Sequence, residues 1–373
     1  MCTWADQTLE KILRKYSYGV QVAQRDHIIP YQGNGDHWEG PPYDRAAWWT
    51  NGFWPALLWQ LYHASGDTAY ATEARRVQSL LVEEMVCFTG LHHDVGFQYL
   101  LSSGAEHRLT GNEDAWRTVL HAATILAGRF NPNGFIRAWN GEGREGWAII
   151  DCMMNLPLLH WATRETGDPR FSLIANRHTD TTLQHFLRPD GSTNHIVIFD
   201  AHTGAMLDAP GGQGMAPGSS WSRGQAWALY GFTLSFLNTG EARHLEAAER
   251  MAAYFIRNIR EDGLTSSDFS QPKDEDLVDN IAAAVASCGL LELANVTGTD
   301  KAATYREAAL RMLTAMDTLC ADYSEDRCGI LQRCTASYHD DGAGRHTNMV
   351  YGDYFFLEAI CKLRGEDIMP WKA

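Results

Sequence analysis

The chain alternates between two kinds of apolar pattern, each with the spacing of a helix. Residues 52–63 and 151–164 are apolar or aromatic on nearly every face, whereas residues 68–88 and 168–187 have one apolar face. A helix that is apolar all round is expected to be buried, and a helix with a single apolar face is expected to be covered on that face only. The pattern therefore predicts inner helices that alternate with outer helices.

A short turn centred on glycine separates the two helices of each predicted pair. Glycine readily ends a helix in the left-handed conformation, and the residue after it caps the next helix. The recurrence of this phrase predicts a repeated helical hairpin. The turns are Ser65-Gly66-Asp67, Thr110-Gly111-Asn112, Thr166-Gly167-Asp168, Thr239-Gly240-Glu241 and Thr297-Gly298-Thr299.

The two ends of the chain supply a further pair of helices. Residues 5–24 and 351–364 each have helical periodicity and are expected to close a sixth hairpin. A ring of six helical hairpins is an all-α fold, the (α/α)6 barrel, in which all inner helices run in the same direction. We therefore predict a single domain over residues 1–373, with the inner helices lining one active-site mouth.

Polar and aromatic residues from distant segments are expected to converge on this mouth, which is where a pocket would be built. Three long connections, 131–147, 190–217 and 327–349, are expected to form its rim, with a short β-hairpin around 194–199. The residues predicted at the mouth are Trp48, Trp49, Asn51, His92, His93, Asp94, Trp147, Asp151, Ser219 to Gln225, Asp279, Asn280, Tyr351 and Asp353.

Residues 218–232 place polar chemistry against the start of an apolar helix. They read Gly-Ser-Ser-Trp-Ser-Arg-Gly-Gln-Ala-Trp-Ala-Leu-Tyr-Gly-Phe. Ser219 and Ser220 are predicted to cap this helix, which places Arg223 near its first turn. Unpaired N–H groups at a helix end, together with an arginine fork, suit a carboxylate or a sulfate. A structural interpretation stays open, in which Arg223 pairs with an internal aspartate and the neighbouring tryptophans fill the core.

The net charge of −15 argues against nucleic acid or an acidic membrane surface as a partner, because both are bound through a basic surface. No apolar stretch is long enough to span a bilayer, and residues 1–7 show no basic region followed by an apolar run. We therefore expect a cytoplasmic protein. Hydrophobic residues make up 45% of the chain, which is enough for a large core.

The eight cysteines are expected to be reduced thiols in the core. No Cys-x-x-Cys pair occurs, and the C-terminal cysteines lack zinc-ligand spacing with histidines, so no metal is expected. The cysteines considered are Cys87, Cys152, Cys288 and Cys361 in helical segments, and Cys320, Cys328 and Cys334 near the C-terminus.

Two aspartates at the predicted mouth are candidates for catalysis. Asp151 lies among apolar residues, where an unpaired carboxylate would be costly. Burial raises the pKa of a carboxyl group, which would let Asp151 hold a proton near neutral pH and act as a general acid. The structural alternative for Asp151 is neutralisation by Arg223. Asp94 is the second carboxylate on this face, and its simplest structural role is a helix cap.

Aromatic side chains at a pocket mouth suit sugars, whose C–H faces stack on rings. Trp49, Trp139, Trp221 and Trp227 are candidates, although a core position is the ordinary role of a tryptophan. His195, in the predicted hairpin over the mouth, is a candidate partner for a ligand oxygen.

Five phrases, which span nearly the whole chain in order, resemble the unsaturated glucuronyl hydrolases of glycoside hydrolase family 88. The resemblance implies an (α/α)6 barrel, no metal or other cofactor, and removal of the unsaturated glucuronic acid that polysaccharide lyases leave at the non-reducing end of glycosaminoglycan fragments. The phrases are Trp49-Thr-Asn-Gly-Phe-Trp54, His92-His-Asp-Val-Gly-Phe97, Ile149-Ile-Asp-Cys-Met-Met-Asn-Leu-Pro157, Ser220-Trp-Ser-Arg-Gly-Gln-Ala-Trp-Ala-Leu-Tyr-Gly-Phe232 and Gly352-Asp-Tyr354.

By position in these phrases, the resemblance implies that Asp151 is the proton donor and Asp94 the second catalytic carboxylate. It also implies an unsaturated di- or oligosaccharide as the substrate. At Gly212 the chain departs from the family, whose members often carry a histidine there. The implied substrate-binding residues are Ser219, Trp221, Arg223 and Trp227 around the uronate, and Trp49, Trp139, His195 and Gln213 elsewhere in the pocket.

Other functions stay open on the same scaffold: an unsaturated rhamnogalacturonyl hydrolase, a sugar 2-epimerase and a non-catalytic sugar-binding protein. Epimerase chemistry usually relies on inner-face histidines, where this chain offers Asp94 and Asp151.

The rim loop 337–346 bears on the choice of substrate. Asp340 and Asp341 would repel a sulfate, whereas Arg345 and His346 would attract one. An exposed rim charge contributes only about 0–1 kcal/mol, so we predict a modest preference for unsulfated disaccharides.

Overall fold

The computed structural model describes residues 3–41 and 45–372. In these ranges the chain forms twelve α-helices, and short strands lie in the connections between them. The helices are α1 (Trp4–Asp26), α2 (Phe53–Ser65), α3 (Thr68–Cys87), α4 (Ser103–Thr110), α5 (Glu113–Ala127), α6 (Pro157–Thr166), α7 (Arg170–His185), α8 (Ser222–Thr239), α9 (Ala242–Arg257), α10 (Asn280–Val296), α11 (Thr299–Leu319) and α12 (Val350–Arg364). The strands are β1 (Gln32–Asn34), β2 (His37–Glu39), β3 (Phe130–Asn131), β4 (Phe135–Ile136), β5 (Trp147–Ile149), β6 (Ile196–Phe199) and β7 (Met206–Asp208).

The helices form a ring of six hairpins, an (α/α)6 barrel. Helix α2 packs on α3, α4 on α5, α6 on α7, α8 on α9 and α10 on α11, and α1 packs on α12 as the sixth pair. Among the inner helices, α2 contacts α4, α6 contacts α8, α8 contacts α10, and α10 contacts α12, which closes the ring by packing on α2. Between α4 and α6, the turn at residues 96–100 contacts both helices. The predicted fold is confirmed, because each inner helix buries an apolar surface that only its neighbours can cover.

Four of the five predicted glycine turns have the expected geometry. Gly66, Gly111, Gly167 and Gly240 end their helices with φ between 71° and 73°. The fifth prediction is wrong: Gly298 has φ −64° and caps the N-terminus of α11, while Thr297 ends α10 in an extended conformation. A residue with negative φ needs no glycine, so this turn resembles the other four in sequence but not in backbone conformation.

An irregular turn precedes three of the inner helices. Helix α2 still begins next to its predicted start at residue 52, whereas α6 begins well after its predicted start at residue 151. The turns are a 3-10 helix at Trp49–Gly52, a π-helix at Gly96–Leu100 and a 3-10 helix at Ile150–Met154. After the third turn, α6 begins at Pro157, since proline lacks an N–H and suits the first position of a helix. Irregular turns of this kind often occur at functional sites.

The start of α8 also differs from the prediction. The helix begins at Ser222, and neither Ser219 nor Ser220 caps it. The Ser219 hydroxyl donates to Asp268 Oδ2 at 2.7 Å, and the Ser220 amide donates to Asp268 Oδ1 at 3.1 Å. The buried Asp268 carboxylate therefore holds this loop, and because both serines donate to it, neither serine caps α8. Arg223 still lies in the first turn of α8, which is buried from Ser222 to Ser235.

A small three-stranded sheet, in the order β5-β6-β7, lies beside the ring. Strands β6 and β7 form the predicted hairpin, and β6 also pairs antiparallel with β5. Because β5 leads directly into the turn that carries Asp151, the sheet ties the hairpin to the start of α6.

The seven described cysteines are free, and six of them are buried, as predicted. Cys87 is the exception: it is exposed at the end of α3, where the chain leaves the core. Cys2 lies outside the described residues. None of the described helices is both long and apolar enough to cross a membrane.

Candidate active site

Asp151 lies in the 3-10 turn that precedes α6, with only 8% of its surface exposed. Its Oδ2 atom is buried and has no hydrogen-bond partner among the described residues. Burial raises the pKa of this carboxyl group to about 7, although the positive charge of Arg223 opposes the shift. Asp151 is therefore suited to hold a proton near neutral pH and to transfer it to a ligand.

The pairing of β5 with β6 brings His195 beside Asp151. The Ile150 amide donates to the His195 carbonyl oxygen at 3.0 Å, and His195 Nε2 lies 3.6 Å from Asp151 Oδ2. Burial lowers the pKa of His195 to about 3, so its imidazole is neutral. Two groups that can share a proton or a ligand oxygen therefore face each other in a buried position.

Asp94 precedes the π-helical turn and is also buried. Burial, with the charge of Asp151 as a second cause, raises the pKa of Asp94 well above its ordinary value. His93 is neutral because burial lowers its pKa, and its Nδ1 lies 3.0 Å from the Ala138 carbonyl oxygen, so Nδ1 carries the ring proton. The unprotonated Nε2 of His93 then faces Asp94 Oδ1 at 3.2 Å, which favours a protonated Asp94.

Asn155, a site residue that was not predicted from the sequence, links the two aspartates. Its side-chain nitrogen lies 3.3 Å from both Asp94 Oδ1 and the Asp151 carbonyl oxygen, and its oxygen accepts from the Phe97 amide at 2.9 Å. Gly96 permits this contact, because a Cβ atom there would lie 2.6 Å from the Asn155 oxygen. The signal available in the sequence was a polar asparagine within an apolar stretch, four residues after the candidate acid.

His92, His93 and Asp94 also form the one group of potential metal ligands found in residues 3–41 and 45–372, with ligand atoms within 4.8 Å of one another. Burial lowers the pKa of His92 to about 4, so both imidazoles are neutral, the form that binds a cation. The close approach of His93 Nε2 to Asp94 is equally accounted for by a shared proton.

Arg223 is buried and pairs with Asp279, not with Asp151. Its Nη1 donates to Asp279 Oδ2 and to the Thr335 carbonyl oxygen, both at 2.8 Å, and its Nη2 donates to the Ala336 carbonyl oxygen. Burial opposes the charge on the guanidinium, but neighbouring groups, Asp279 first, outweigh it and raise the pKa of Arg223. The structural interpretation, in which Arg223 pairs with an internal aspartate, is thus correct. Arg223 still belongs to the site, because its positive charge opposes the rise that burial causes in the pKa of Asp151.

Two of the predicted tryptophans contact the neutral histidines of the site, and one of them also contacts Arg223. The Trp221 ring lies 4.3 Å from the His195 ring and 4.6 Å from the Arg223 guanidinium. Trp139 meets His93 edge-on, with 6.0 Å between ring centroids. Both rings therefore shape the walls around the candidate acids.

The other two tryptophans pack on the aromatic core. Trp49 is half-buried, and its ring lies 5.1 Å from Tyr351 and 5.9 Å from Phe97. Trp227 is fully buried 5.3 Å from Phe97, so its place is the ordinary core position of a tryptophan. Trp49 is the one of the pair with surface left for a ligand.

Gln213 and Ser219 are both held by the rim loops. The Gln213 amide donates to His195 Nδ1 at 2.9 Å, and its side chain donates to the Ala336 carbonyl oxygen at 2.7 Å. Ser219 is engaged by Asp268, as described above. Gln213 therefore supports His195 directly, whereas the hydroxyl of Ser219 serves its own loop.

A cavity of about 830 Å³ opens next to this cluster. It is lined by His92, whose Nδ1 lies 3.4 Å from Asp94, and by Ala336, whose carbonyl oxygen accepts from Gln213 and Arg223. Three of its four charged residues are acidic, so it suits a ligand without added negative charge. The charged and aromatic lining residues are Tyr31, Glu39, Arg45, Trp48, Glu84 and Asp340.

The glycosyl hydrolase family 88 model matches residues 16–363 of the chain. An unsaturated glucuronyl hydrolase of Bacillus sp. (strain GL1) is 37% identical over 325 residues, which cover 84% of this chain and 86% of the relative. An unsaturated chondroitin disaccharide hydrolase of Streptococcus pyogenes serotype M1 is 33% identical over 327 residues, which cover 84% of this chain and 80% of the relative.

Solved structures agree with these matches. The crystal structure of the unsaturated glucuronyl hydrolase from Bacillus sp. GL1, described as responsible for the degradation of glycosaminoglycan, has a TM-score of 0.86 and 32% identity, covering 94% of this chain and 97% of that chain. A mutant unsaturated glucuronyl hydrolase from Streptococcus agalactiae, complexed with dGlcA-GalNAc6S, has a TM-score of 0.80 and 26% identity, covering 96% and 91%. By sequence and by fold, the chain is a glycoside hydrolase that belongs to glycosyl hydrolase family 88.

Proposed function

We propose that the protein removes 4,5-unsaturated glucuronic acid from the non-reducing end of the glycosaminoglycan-type oligosaccharides that polysaccharide lyases produce. The observation that carries the proposal is Asp151, a buried carboxyl group with an unpartnered oxygen and a pKa of about 7. The names of the relatives, an unsaturated glucuronyl hydrolase and an unsaturated chondroitin disaccharide hydrolase, support the choice of substrate.

Asp151 is the proposed general acid. Its proton adds to C4 of the vinyl ether, positive charge develops at C5 and the ring oxygen, and a water molecule adds at C5. The C5–O5 bond of the resulting hemiketal then breaks to give a ketone at C5 and a hemiacetal at C1. This hemiacetal collapses to an aldehyde and releases the remaining sugar as an alcohol, so direct attack of the acid on the glycosidic oxygen of the intact substrate is not required. Asp94 assists as a second, protonated carboxyl group, whose neutral state avoids a second buried negative charge next to Asp151.

Arg223 is the proposed cation for the uronate carboxylate. Its partners in the structure engage three of the five guanidinium N–H groups. The buried ion pair with Asp279 fixes the direction of the fork, and Trp221 covers one face of it. A pre-oriented arginine loses little conformational freedom when an anion binds.

The cavity lined by Trp48, His92 and Asp340 is the proposed place for the rest of the oligosaccharide. Its half-exposed Trp48 ring offers a stacking surface, and its carboxylates offer acceptors for sugar hydroxyl groups. Two of its lining residues contact the proposed site: His92 lies beside Asp94, and the Ala336 carbonyl oxygen accepts from Arg223.

The decisive experiment follows the ultraviolet absorbance of the conjugated enoate in unsaturated chondroitin and hyaluronan disaccharides. We expect the absorbance to disappear with the unmodified protein and to persist with Asp151→Asn. Persistence with well-folded unmodified protein on several such disaccharides would overturn the proposal. A pectin-derived unsaturated rhamnogalacturonan disaccharide, assayed side by side, distinguishes the related hydrolase, which predicts the opposite preference.

Membership of family 88 disfavours an epimerase. A lack of histidines does not, because His92, His93 and His195 lie beside the aspartates.

We further propose that the chain acts as one catalytic domain, since α1 at one end packs on α12 at the other. Its cytoplasmic location stays a prediction.

A further inference from the structure

The turn at residues 211–213 packs directly against His195. Gly212 has φ +59°, a left-handed conformation that turns the following Gln213 amide toward the imidazole. That amide donates to His195 Nδ1 at 2.9 Å. A Cβ atom at position 212 would lie only 2.1 Å from the same nitrogen, so the turn can reach the ring only with glycine at this place.

This hydrogen bond determines which nitrogen of His195 carries the proton. The imidazole is neutral, so it has one N–H and one lone pair. A nitrogen that accepts from Gln213 cannot donate to the Gly211 carbonyl oxygen, which lies farther away at 3.4 Å. The proton therefore lies on Nε2.

The Nε2–H group faces the proposed acid. Nε2 lies 3.6 Å from Asp151 Oδ2, just beyond hydrogen-bond distance, and both atoms are buried with no hydrogen-bond partner among the described residues. The Trp221 ring packs against the His195 ring at a tilt of 44°, with 4.3 Å between the ring centroids. On the other side of the turn, the Tyr338 amide donates to the Gln213 carbonyl oxygen at 2.9 Å, which keeps the turn in place.

We propose that the turn at residues 211–213, through Gly212, is a positioning device that fixes the Nε2–H tautomer of His195 and aims it at Asp151 Oδ2. The inference rests on the proposed function, in which Asp151 is the general acid. A donor directed at Oδ2 stabilises the carboxylate and leaves Oδ1 to carry the transferable proton. Gly212 acts only through His195 and is thus a positioning residue.

Two substitutions at position 212 separate contact from backbone strain. Gly212→Ala and Gly212→Asn both introduce a Cβ atom, but asparagine tolerates positive φ better than alanine does. Gly143→Ala is the matched control, because Gly143 has φ +76° in another rim loop and no neighbour within 4 Å of its Cβ position. We expect both substitutions at 212 to reduce kcat by about tenfold with a smaller change in KM, because they remove the hydrogen bond that directs the His195 N–H group at Asp151.

The pH profile adds a readout that a merely structural role would not move. Loss of a donor to the carboxylate raises the pKa of Asp151, so the alkaline limb of kcat/KM should shift upward by roughly 0.5–1 pH unit in both variants at 212 and not in Gly143→Ala. An unshifted limb in both variants, or parental behaviour in Gly212→Asn, would overturn the inference.

A direct test needs no substrate and no variant at 212. In the full-length protein labelled with 15N-histidine, the long-range 1H–15N correlations of His195 are identified by their loss in His195→Asn. We expect Nδ1 to be unprotonated and Nε2 protonated from pH 5.5 to 8. A proton on Nδ1 would refute the device whatever the enzyme hydrolyses, whereas an Nε2–H tautomer in an inactive protein would count against the proposed function alone.

Discussion

Asp151 and Asp353 are both buried aspartates near the start of an inner helix, but their surroundings differ. Asp353 accepts from the Tyr16 hydroxyl at 2.6 Å and from the amides of Ile330 and Leu331 at 2.8 and 2.7 Å. Asp151 Oδ2 has no partner among the described residues. Burial raises the pKa of both carboxyl groups, yet only at Asp353 do several donors oppose the shift by stabilising the charge.

The difference shows that burial alone does not identify a catalytic acid. A carboxylate whose two oxygens both accept hydrogen bonds has a structural role, and replacing it leaves the donors of those bonds without an acceptor. A buried carboxyl group with an oxygen that accepts no hydrogen bond can bind a ligand through that oxygen, and its ionised form destabilises the folded protein.

The largest expected effect is on catalysis. Asp151→Asn should lower kcat/KM by about a thousandfold or more, because an amide cannot deliver a proton. Steady-state assays on an unsaturated chondroitin disaccharide, with circular dichroism to confirm folding, provide the measurement. Asp353→Asn is the control, and its remaining folded protein should keep normal turnover. Near-parental activity of Asp151→Asn would move the role of acid to Asp94.

The next effect comes from removing the cation of a buried ion pair. Arg223→Met should lower the free energy of unfolding by about 3–5 kcal/mol, since it leaves Asp279 buried without its cation. Adding Asp279→Leu to the same chain should restore more than half of the loss, but not the activity. Urea denaturation of the parent, both single variants and the double variant gives the coupling. Additive losses in the double variant would contradict the pairing.

Stability should change in opposite directions in the two aspartate variants. The folded pKa of Asp151, about 7, lies above the ordinary value of 3.8, so its contribution is present below pH 4 and is lost as pH rises to 7. At pH 8, Asp151→Asn should therefore be more stable than the parent by about 1–3 kcal/mol, with less gain at pH 5. Asp353→Asn should lose about 1–3 kcal/mol through unpaired amides. Equal losses in both variants would erase the distinction.

The smallest effect concerns the acidic cavity. Asp340 lines it, whereas Arg345 lies 4.0 Å from Glu275 and His346 accepts from the Val278 amide, so the two attractive side chains are engaged elsewhere. We expect kcat/KM on an unsulfated unsaturated disaccharide to exceed that on its 6-sulfated counterpart by a few-fold, or ~0–1 kcal/mol. Asp340→Asn should reduce the ratio. A sulfated preference that disappears in Arg345→Ala would show that the arginine dominates.

The helical ring could be predicted from the sequence because periodicity and glycine turns are local signals, repeated along the chain. The irregular turns next to Asp94 and around Asp151 could not be predicted, because the apolar pattern of each turn continues that of the helix that follows. Only tertiary contacts, such as that of Gly96 with Asn155, distinguish these turns from helix. Likewise, residue type alone does not say that Arg223 pairs with Asp279. Pairing and hydrogen-bond satisfaction are properties of tertiary structure.

The central claim is that Asp151 must hold its proton to react. The most direct test is the pH dependence of kcat/KM on an unsaturated chondroitin disaccharide between pH 5 and 9. We expect the rate to fall as pH rises through about 7, the pKa of the buried Asp151 carboxyl group, because the ionised form has no proton to donate. A rate that stays constant up to pH 9, or that rises through neutrality, would contradict it.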